Sequence, residues 1–324
     1  MHLLSTFQLS PEDTAKAETL GMEILYFKNQ NELKEWKDTK VLAEADAVIA
    51  NQRTLQPDFL EKCTNLKWAH VPHVGIEHLP LDYLESRKIV LTNARGVAGP
   101  PISEDILCKM LALARKYNVI ARQQQERRWN FPGSISELSG KTAGILGTGN
   151  IGTETAAKAK VFGMKTLGLN TTGDSVHFFD EVYVTSEINQ LILQSDFIIC
   201  TIPLTKDTHH LISREQLELM KPTAFIINIS RGNLFDEAVL LEFLSDRRIA
   251  GAALDVFADE LIYGCLPKES PFWTLDNVII TPHMAGAGDR EWERNAAIIM
   301  TNIEAVCTDD KNKMLNIRNY RKGY

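Results

Sequence analysis

Positive charge is in deficit: 35 Lys and Arg stand against 42 Asp and Glu, a formal net charge of -7. A balance of this sign leaves no electrostatic footprint for nucleic acid or an anionic membrane. Long apolar runs are missing too; none approaches the roughly 20 residues that span a bilayer. The opening MHLLSTFQLSPED lacks a basic segment and has only a short apolar stretch, so it reads as a first strand rather than a signal peptide. Cysteine is scarce. Cys63, Cys108, Cys200, Cys265 and Cys307 are odd in number and far apart, with no CxxC pair. That fits reduced, mostly buried thiols in the cytoplasm better than a disulfide framework. Cys200, in the apolar run FIICTI, is expected in the core. No internal repeat, low-complexity segment or extended disordered tail is evident.

What remains is an ordinary globular composition, 44% hydrophobic and 24% charged, at a length of 324 residues that suits two domains. Residues 1 to about 95 alternate short apolar runs (3–7, 23–27, 47–50, 66–70, 89–92) with polar, helix-compatible segments (12–20, 31–36, 57–62, 81–86). Such alternation predicts a parallel sheet with helices on both faces. The Gly- and Pro-dense stretch 96–105, GVAGPPISED, marks a boundary. A helix is predicted from about 102 to 125, with Ser103 at its cap or in its first turn. Ile106, Met110, Leu113 and Tyr117 form one apolar stripe on it. Alternation resumes with strands at 142–146, 165–169, 197–202, 224–229, 251–256 and 278–281 and helices at 151–162, 186–194, 213–219 and 237–245. A last helix, 290–306, is expected to return to the first domain and make it discontinuous.

The second sheet opens on TAGILGTGNIG, residues 142–152. An apolar strand runs into Gly147, Gly149, Asn150, Ile151 and Gly152, a G-x-G-x-x-G turn, and then into a helical segment and a second strand. This is the layout of a dinucleotide-binding unit. The first glycine permits the tight turn, the second admits a pyrophosphate, and the third lets helix and strand pack closely. The phosphates lie at a helix N-terminus, where free N–H groups and the dipole favour anions.

Three later strands each end in a polar residue: Arg231 in IINISRGN, Asp255 with Glu260 in AALDVFADE, and His283 in VIITPHMAG. Parallel strands carry their carboxyl ends to one edge, so these residues converge on one crevice. Arginine holds a planar carboxylate by two parallel hydrogen bonds and polarises a neighbouring carbonyl. Histidine gives a proton to a developing alkoxide or takes it back. A glutamate on the other ring nitrogen favours the imidazolium and fixes its orientation. Singly, each has an ordinary reading as a turn cation, a solvated loop carboxylate or a satisfied core histidine. Together, after a dinucleotide turn, they suit hydride transfer on a carbonyl.

Over 66–286 the order and spacing of these motifs resemble the D-isomer-specific 2-hydroxyacid dehydrogenases, which include phosphoglycerate, D-lactate and glyoxylate/hydroxypyruvate dehydrogenases. The resemblance implies an α/β protein of two doubly wound parallel-sheet domains. A Rossmann-type nucleotide domain (98–289) is inserted into a flavodoxin-like substrate domain (1–97 and 290–324), with substrate binding between the two. It implies Arg231, Glu260 and His283 as catalytic residues and Asp255 as a ligand of the nicotinamide carboxamide. It implies Ile229 and Ser230 as lining for the cofactor, and Ile202, Pro203 and Thr208 of TIPLTKDTHHLI beside the nicotinamide ribose. The loop Pro72-His73-Val74-Gly75-Ile76-Glu77 is similar to the family's substrate loop. There the amides of Val74, Gly75 and Ile76 make an anion nest for the substrate carboxylate, alongside Arg231 and His283. Family members often have a smaller residue at His73 and aspartate at Glu77. His73 then either narrows the pocket or meets the substrate, and Arg53 is a further candidate for the cleft. His70, His73 and His78 lack a fourth ligand or helical frame, so no metal is expected.

One departure concerns the cofactor. NAD-preferring enzymes carry Asp or Glu at the end of the second strand to bind the adenine ribose hydroxyls. Here stand Asn170, Thr171, Thr172 and Gly173, with no carboxylate to repel a 2′-phosphate and no arginine to bind one. NADP(H) is favoured through the threonine hydroxyls and turn amides. NAD(H), with Asn170 as a neutral ribose ligand, is the alternative. The expected protein is a cytoplasmic NAD(P)-dependent 2-oxoacid reductase, a homodimer through the 102–125 helix, acting on small 2-oxoacids or 2-hydroxyacids. The alternatives are a binding protein of the superfamily's corepressor type, against which the intact Arg231, Glu260 and His283 count, and a formate dehydrogenase, against which Glu260 counts.

Overall fold

The structure, a computed structural model, describes residues 1–76 and 78–320. Glu77, one of the substrate-loop residues, lies outside the described residues. The chain divides into two compact units: Met1–Val97 with the residues from Asp289 onward, and Ala98–Gly288. No described helix is long and apolar enough to cross a membrane.

In the first unit β1 (His2–Ser5), β2 (Glu23–Tyr26), β3 (Ala47–Ile49), β4 (Trp68–Val71) and β5 (Val90–Asn93) form one sheet in the order β2-β1-β3-β4-β5. Every pair is parallel, and the order is flavodoxin-like. Strand periodicity sends Leu4, Val48, Ala69 and Leu91 to one core and Leu3, Ile49 and Trp68 to the other. The second face is covered by Ile299 and Ile303 of the helix Glu291–Cys307.

In the second unit β6 (Thr142–Leu146), β7 (Lys165–Asn170), β8 (Glu181–Val184), β9 (Phe197–Cys200), β10 (Phe225–Asn228), β11 (Gly251–Leu254) and β12 (Val278–Ile280) run in the order β12-β11-β10-β9-β6-β7-β8. All pairs are parallel. This is the Rossmann order with one strand added beyond the sixth, and the sequence of strands reverses at β6. Ile145, Ile199, Ile227 and Ala253 face Ile106 and Met110 of the helix Gly99–Ala114. Ile198, Ile226 and Leu254 face Leu240 and Phe243 of the helix Glu237–Ser245. Cys200 is fully buried there, and burial pushes its thiol up.

The predicted helix 102–125 is two helices, Gly99–Ala114 and Tyr117–Gln125. Lys116 between them adopts the left-handed conformation at φ 57. That turn takes the chain off its stripe: Ile106, Met110 and Leu113 are buried, whereas Tyr117 is 62% exposed. The first helix begins three residues earlier than predicted, because Pro100 and Pro101 occupy first-turn positions that need no N–H partner. Ser103 therefore lies inside the helix, donating to the Pro100 carbonyl at 2.9 Å. Strand β8 and the helix Thr39–Glu44 are additions to the sequence reading. β8 is a half-exposed edge strand whose charged first residue and Tyr183 dilute any apolar signal.

Ile199 sits fully buried in β9 between β6 and β10. Ile199→Ala should cost about 2–5 kcal/mol of stability. A urea titration will read this as a lower midpoint; an unchanged midpoint would remove β9 from the load this unit's core carries.

Candidate active site

At the switch point, Gly147 has φ +107, and a Cβ on Gly152 would lie 1.9 Å from the Gly147 carbonyl oxygen. Gly149 caps the helix Asn150–Val161 without a side-chain hydrogen bond, and a Cβ there would meet nothing within 4 Å. The helix thus opens on uncapped amides with free space before them, which fits a pyrophosphate. Asn150 is exposed and Ile151 packs half-buried on the core. Thr201, not among the expected site residues, donates to the Leu146 carbonyl at 2.9 Å, so its hydroxyl ties β9 to the glycine turn.

The loop after β7 is organised by Asn170 itself. Its Oδ1 accepts from the amides of Thr172 at 3.1 Å and Gly173 at 2.6 Å, and its Nδ2 donates to Thr148 Oγ1 at 3.1 Å. Two of the turn amides expected for a 2′-phosphate are thus engaged by Asn170. Thr171 and Thr172 remain exposed. At the ribose segment, the Thr208 hydroxyl donates to the Pro203 carbonyl at 2.7 Å and closes that loop on itself. The Ser230 hydroxyl donates to the Ile202 carbonyl, joining this segment to the end of β10. Ile229 and Ser230 are themselves buried.

Arg231 stands exposed just past β10, its Nη1 donating to the Ser230 carbonyl at 2.7 Å. The turn is pinned by Asn228, buried at the strand end: Nδ2 donates to the Arg231 carbonyl at 3.0 Å and Oδ1 accepts from the Ser230 amide at 3.1 Å. Glu260 opens a one-turn helix, Glu260–Tyr263, rather than lying in an irregular loop. The loop before it is held by Glu237, which accepts the Ala258 amide at 2.7 Å. Burial raises the Glu237 carboxyl above its usual range, against the pull of that hydrogen bond.

His283 and Glu260 meet directly, Nδ1 against Oε1. The pairing fixes the ring and leaves Nε2 as the nitrogen for chemistry. His283 has φ 50, an uncommon conformation for any side chain but glycine. Its amide donates to the Asp255 carbonyl at 2.9 Å, and the Asp255 carboxylate accepts from the amides of Met284 at 3.1 Å and Ala285 at 3.0 Å and from the Thr281 hydroxyl. Asp255 has no side-chain exposure, and Lys109 Nζ lies 3.5 Å from its Oδ1. Burial would raise this carboxyl, but the Thr281 and Ala285 hydrogen bonds, the Lys109 charge and the Met284 amide hold it below the usual range. Asp255 therefore works inward, gathering the histidine loop.

In the first unit, the loop after β4 is fixed through its carbonyls. Asn295 donates to the Pro72 oxygen at 3.0 Å and Asn93 to the Val74 oxygen at 2.6 Å. Among the described residues the amides of Val74, Gly75 and Ile76 have no acceptor. Ile76 is buried and Val74 half-exposed. His73 Nδ1 lies 3.4 Å from the Gly75 oxygen, and Arg53 is exposed. His70 is buried in β4 against Thr92 Oγ1, and burial pushes it down to about 3, so it is neutral. Among the described residues no three His, Cys, Asp or Glu side chains stand together to hold a metal.

Sequence reading passed over Thr201, Asn228, Glu237 and Lys109. Two carried a usable signal: Lys109 is a lone charge in the apolar run ILCKML, and Asn228 a lone amide in FIINIS.

Residues 107–285 match the family model described as the D-isomer specific 2-hydroxyacid dehydrogenase NAD binding domain. The chain is similar to a D-3-phosphoglycerate dehydrogenase of Methanocaldococcus jannaschii, 36% identical over 82% of this chain; the match spans only 50% of that longer relative. It is similar to a glyoxylate/hydroxypyruvate reductase B of Pectobacterium carotovorum subsp. carotovorum, 33% identical over 84% of this chain and 86% of the relative. Among solved structures it resembles a D-isomer specific 2-hydroxyacid dehydrogenase family protein of Aeromonas salmonicida subsp. salmonicida, with a TM-score of 0.77, 32% identity and 98% coverage of both chains. The chain belongs to the D-isomer specific 2-hydroxyacid dehydrogenase family, and it is an oxidoreductase whose second unit is that family's NAD-binding domain.

Proposed function

We propose that the protein reduces small 2-oxoacids to D-2-hydroxyacids with NADPH or NADH, His283 acting as the general acid. The observation that carries the reading is the Glu260–His283 pair, hung from the buried Asp255 carboxylate. Arg231 binds the substrate carboxylate with its guanidinium fork and draws charge from the adjacent carbonyl. In the first unit the amides of Val74, Gly75 and Ile76 are donors suited to a carboxylate. A bound nicotinamide would supply the hydride to the keto carbon. Protonated His283 gives the Nε2 proton to the carbonyl oxygen as it becomes an alkoxide, while Glu260 balances the imidazolium and holds its ring. In the reverse direction neutral His283 takes the hydroxyl proton.

The glyoxylate and hydroxypyruvate reductases among the relatives support a small, polar 2-oxoacid as substrate. The absence of a carboxylate at Asn170 admits NADPH. The engagement of the Thr172 and Gly173 amides leaves two threonine hydroxyls as its phosphate ligands, so we place the preference for NADPH as slight. A homodimer is supported by apolar side chains left exposed on the second unit, with Val161 86% and Tyr117 62% exposed. A cytoplasmic site is supported by five unpaired cysteines.

With hydroxypyruvate or glyoxylate as substrate, His283→Ala should lower kcat by about 10²–10⁴-fold with dinucleotide binding nearly unchanged, and Glu260→Gln should lower it by less. Steady-state kinetics alongside fluorescence titration of NADPH tests this; wild-type turnover in His283→Ala would remove the histidine from the chemistry. Asn170→Asp, which keeps the oxygen that accepts the Thr172 and Gly173 amides but loses the Nδ2 donor to the Asp174 carbonyl, should turn the enzyme toward NADH by about tenfold or more in kcat/KM, since a carboxylate repels the 2′-phosphate. Equal kcat/KM ratios in both proteins would place the 2′ position elsewhere.

A further inference from the structure

Lys109 is the one feature of this region that neither cofactor nor substrate binding explains. Its side chain is 3% exposed, on the buried face of the helix Gly99–Ala114, between Ile106, Met110 and Leu113. A buried ammonium is costly unless paired and hydrogen-bonded. Here it meets two carboxylates: Asp105, one turn earlier and 21% exposed, and Asp255, wholly buried. Asp105 reaches toward solvent and satisfies Lys109 as an ordinary helix pair. Asp255 belongs to another element and holds the His283 loop. Among the described residues Lys109 is therefore the only side-chain cation against a carboxylate that takes two backbone amides and a hydroxyl, every one of which donates to the ionised form.

We propose that Lys109 is a positioning residue, keeping Asp255 ionised so that the loop Thr281–Ala285 holds His283 in its strained conformation over the working pH range. The inference rests on the proposed role of His283 as general acid. A protonated Asp255 turns one acceptor oxygen into a donor, facing the Met284 amide if it is Oδ1 and the Ala285 amide if it is Oδ2. The clamp then fails, and His283 loses the backbone hold that keeps φ positive. The groups facing Asp255 are Thr281, Met284 and Ala285 from its own sheet edge and Lys109 from the helix, with Asp105 behind the lysine. Taking away Lys109 removes the attraction and leaves Asp105 uncompensated, and both changes favour the protonated acid. Removing an opposite charge at this range raises a carboxyl.

The test compares Lys109→Met and Lys109→Arg with the wild type in the full chain by two readouts. The first is the pH dependence of kcat/KM for hydroxypyruvate reduction. The second is deuterium exchange of the peptide 281–287 between pH 5 and pH 8, corrected for intrinsic rates. In Lys109→Met the acidic limb should move to higher pH, with activity lost near pH 5 where the wild type keeps it and little change at pH 8. The Met284 and Ala285 amides should lose protection over the same range. Lys109→Arg, which keeps the charge, should retain the wild-type limb. The double variant Lys109→Met with Asp105→Asn removes the lysine without orphaning Asp105 and serves if the single variant does not fold; its limb should lie between the other two. A Lys109→Met or double-variant profile superimposed on the wild type overturns the proposal. So does Lys109→Arg behaving like Lys109→Met, which would make the effect one of packing. If the wild type reduces no 2-oxoacid, the functional reading falls, and the exchange experiment alone decides the role of Lys109.

Discussion

The buried carboxylate of Asp255 is the interaction on which this site depends. It directly follows β11, has no exposed side-chain surface, and accepts from two amides, a hydroxyl and, at longer range, an ammonium. An ionised carboxylate away from water survives only with such a set of donors. In return it fixes the path of the chain after β12. The residue carried on that path is His283, with an uncommon positive φ and a ring held by Glu260. Strained residues persist where surrounding structure over-determines them, and this one does so at the candidate acid.

The same economy recurs along the sheet edge. Asn228 pins the turn that presents Arg231, Glu237 pins the loop that presents Glu260, and Thr201 pins the glycine turn. Each is a polar side chain satisfying backbone groups just past a strand, where the ladder ends and amides would otherwise be orphaned. Strand order places these loops side by side, and the anchors keep them there. The dinucleotide end is built differently. It relies on the geometry of Gly147 and Gly152 and on uncapped helix amides, so it binds charge without selecting chemistry.

The sheets were legible because parallel strands buried on both faces read as short apolar runs, and Ala143–Ile145, Phe197–Cys200 and Phe225–Ile227 are unbroken examples. The chemistry-bearing residues were legible because strand ends punctuate those runs. The break at Lys116 was hidden, since the stripe of the first helix continues in sequence through Tyr117 while the backbone turns away. β8 was hidden because an edge strand needs no apolar face. The hydrogen-bond partners of Asn170 and Asp255 were hidden for one reason: pattern locates a polar side chain but not its partners. Asn170 spends its amide on its own loop, and Asp255 spends its carboxylate on the loop of His283.

The two roles open to Asp255, cofactor ligand and loop anchor, separate in one experiment. Single-turnover reduction of hydroxypyruvate by Asp255→Asn, at saturating cofactor, reports the chemical step apart from dinucleotide affinity. If the carboxylate anchors His283, the hydride-transfer rate falls by about a hundredfold, as expected for a misplaced acid, while the dinucleotide dissociation constant barely changes. A wild-type rate at saturation with a large loss of dinucleotide affinity would contradict the account and make Asp255 a ligand of the nicotinamide.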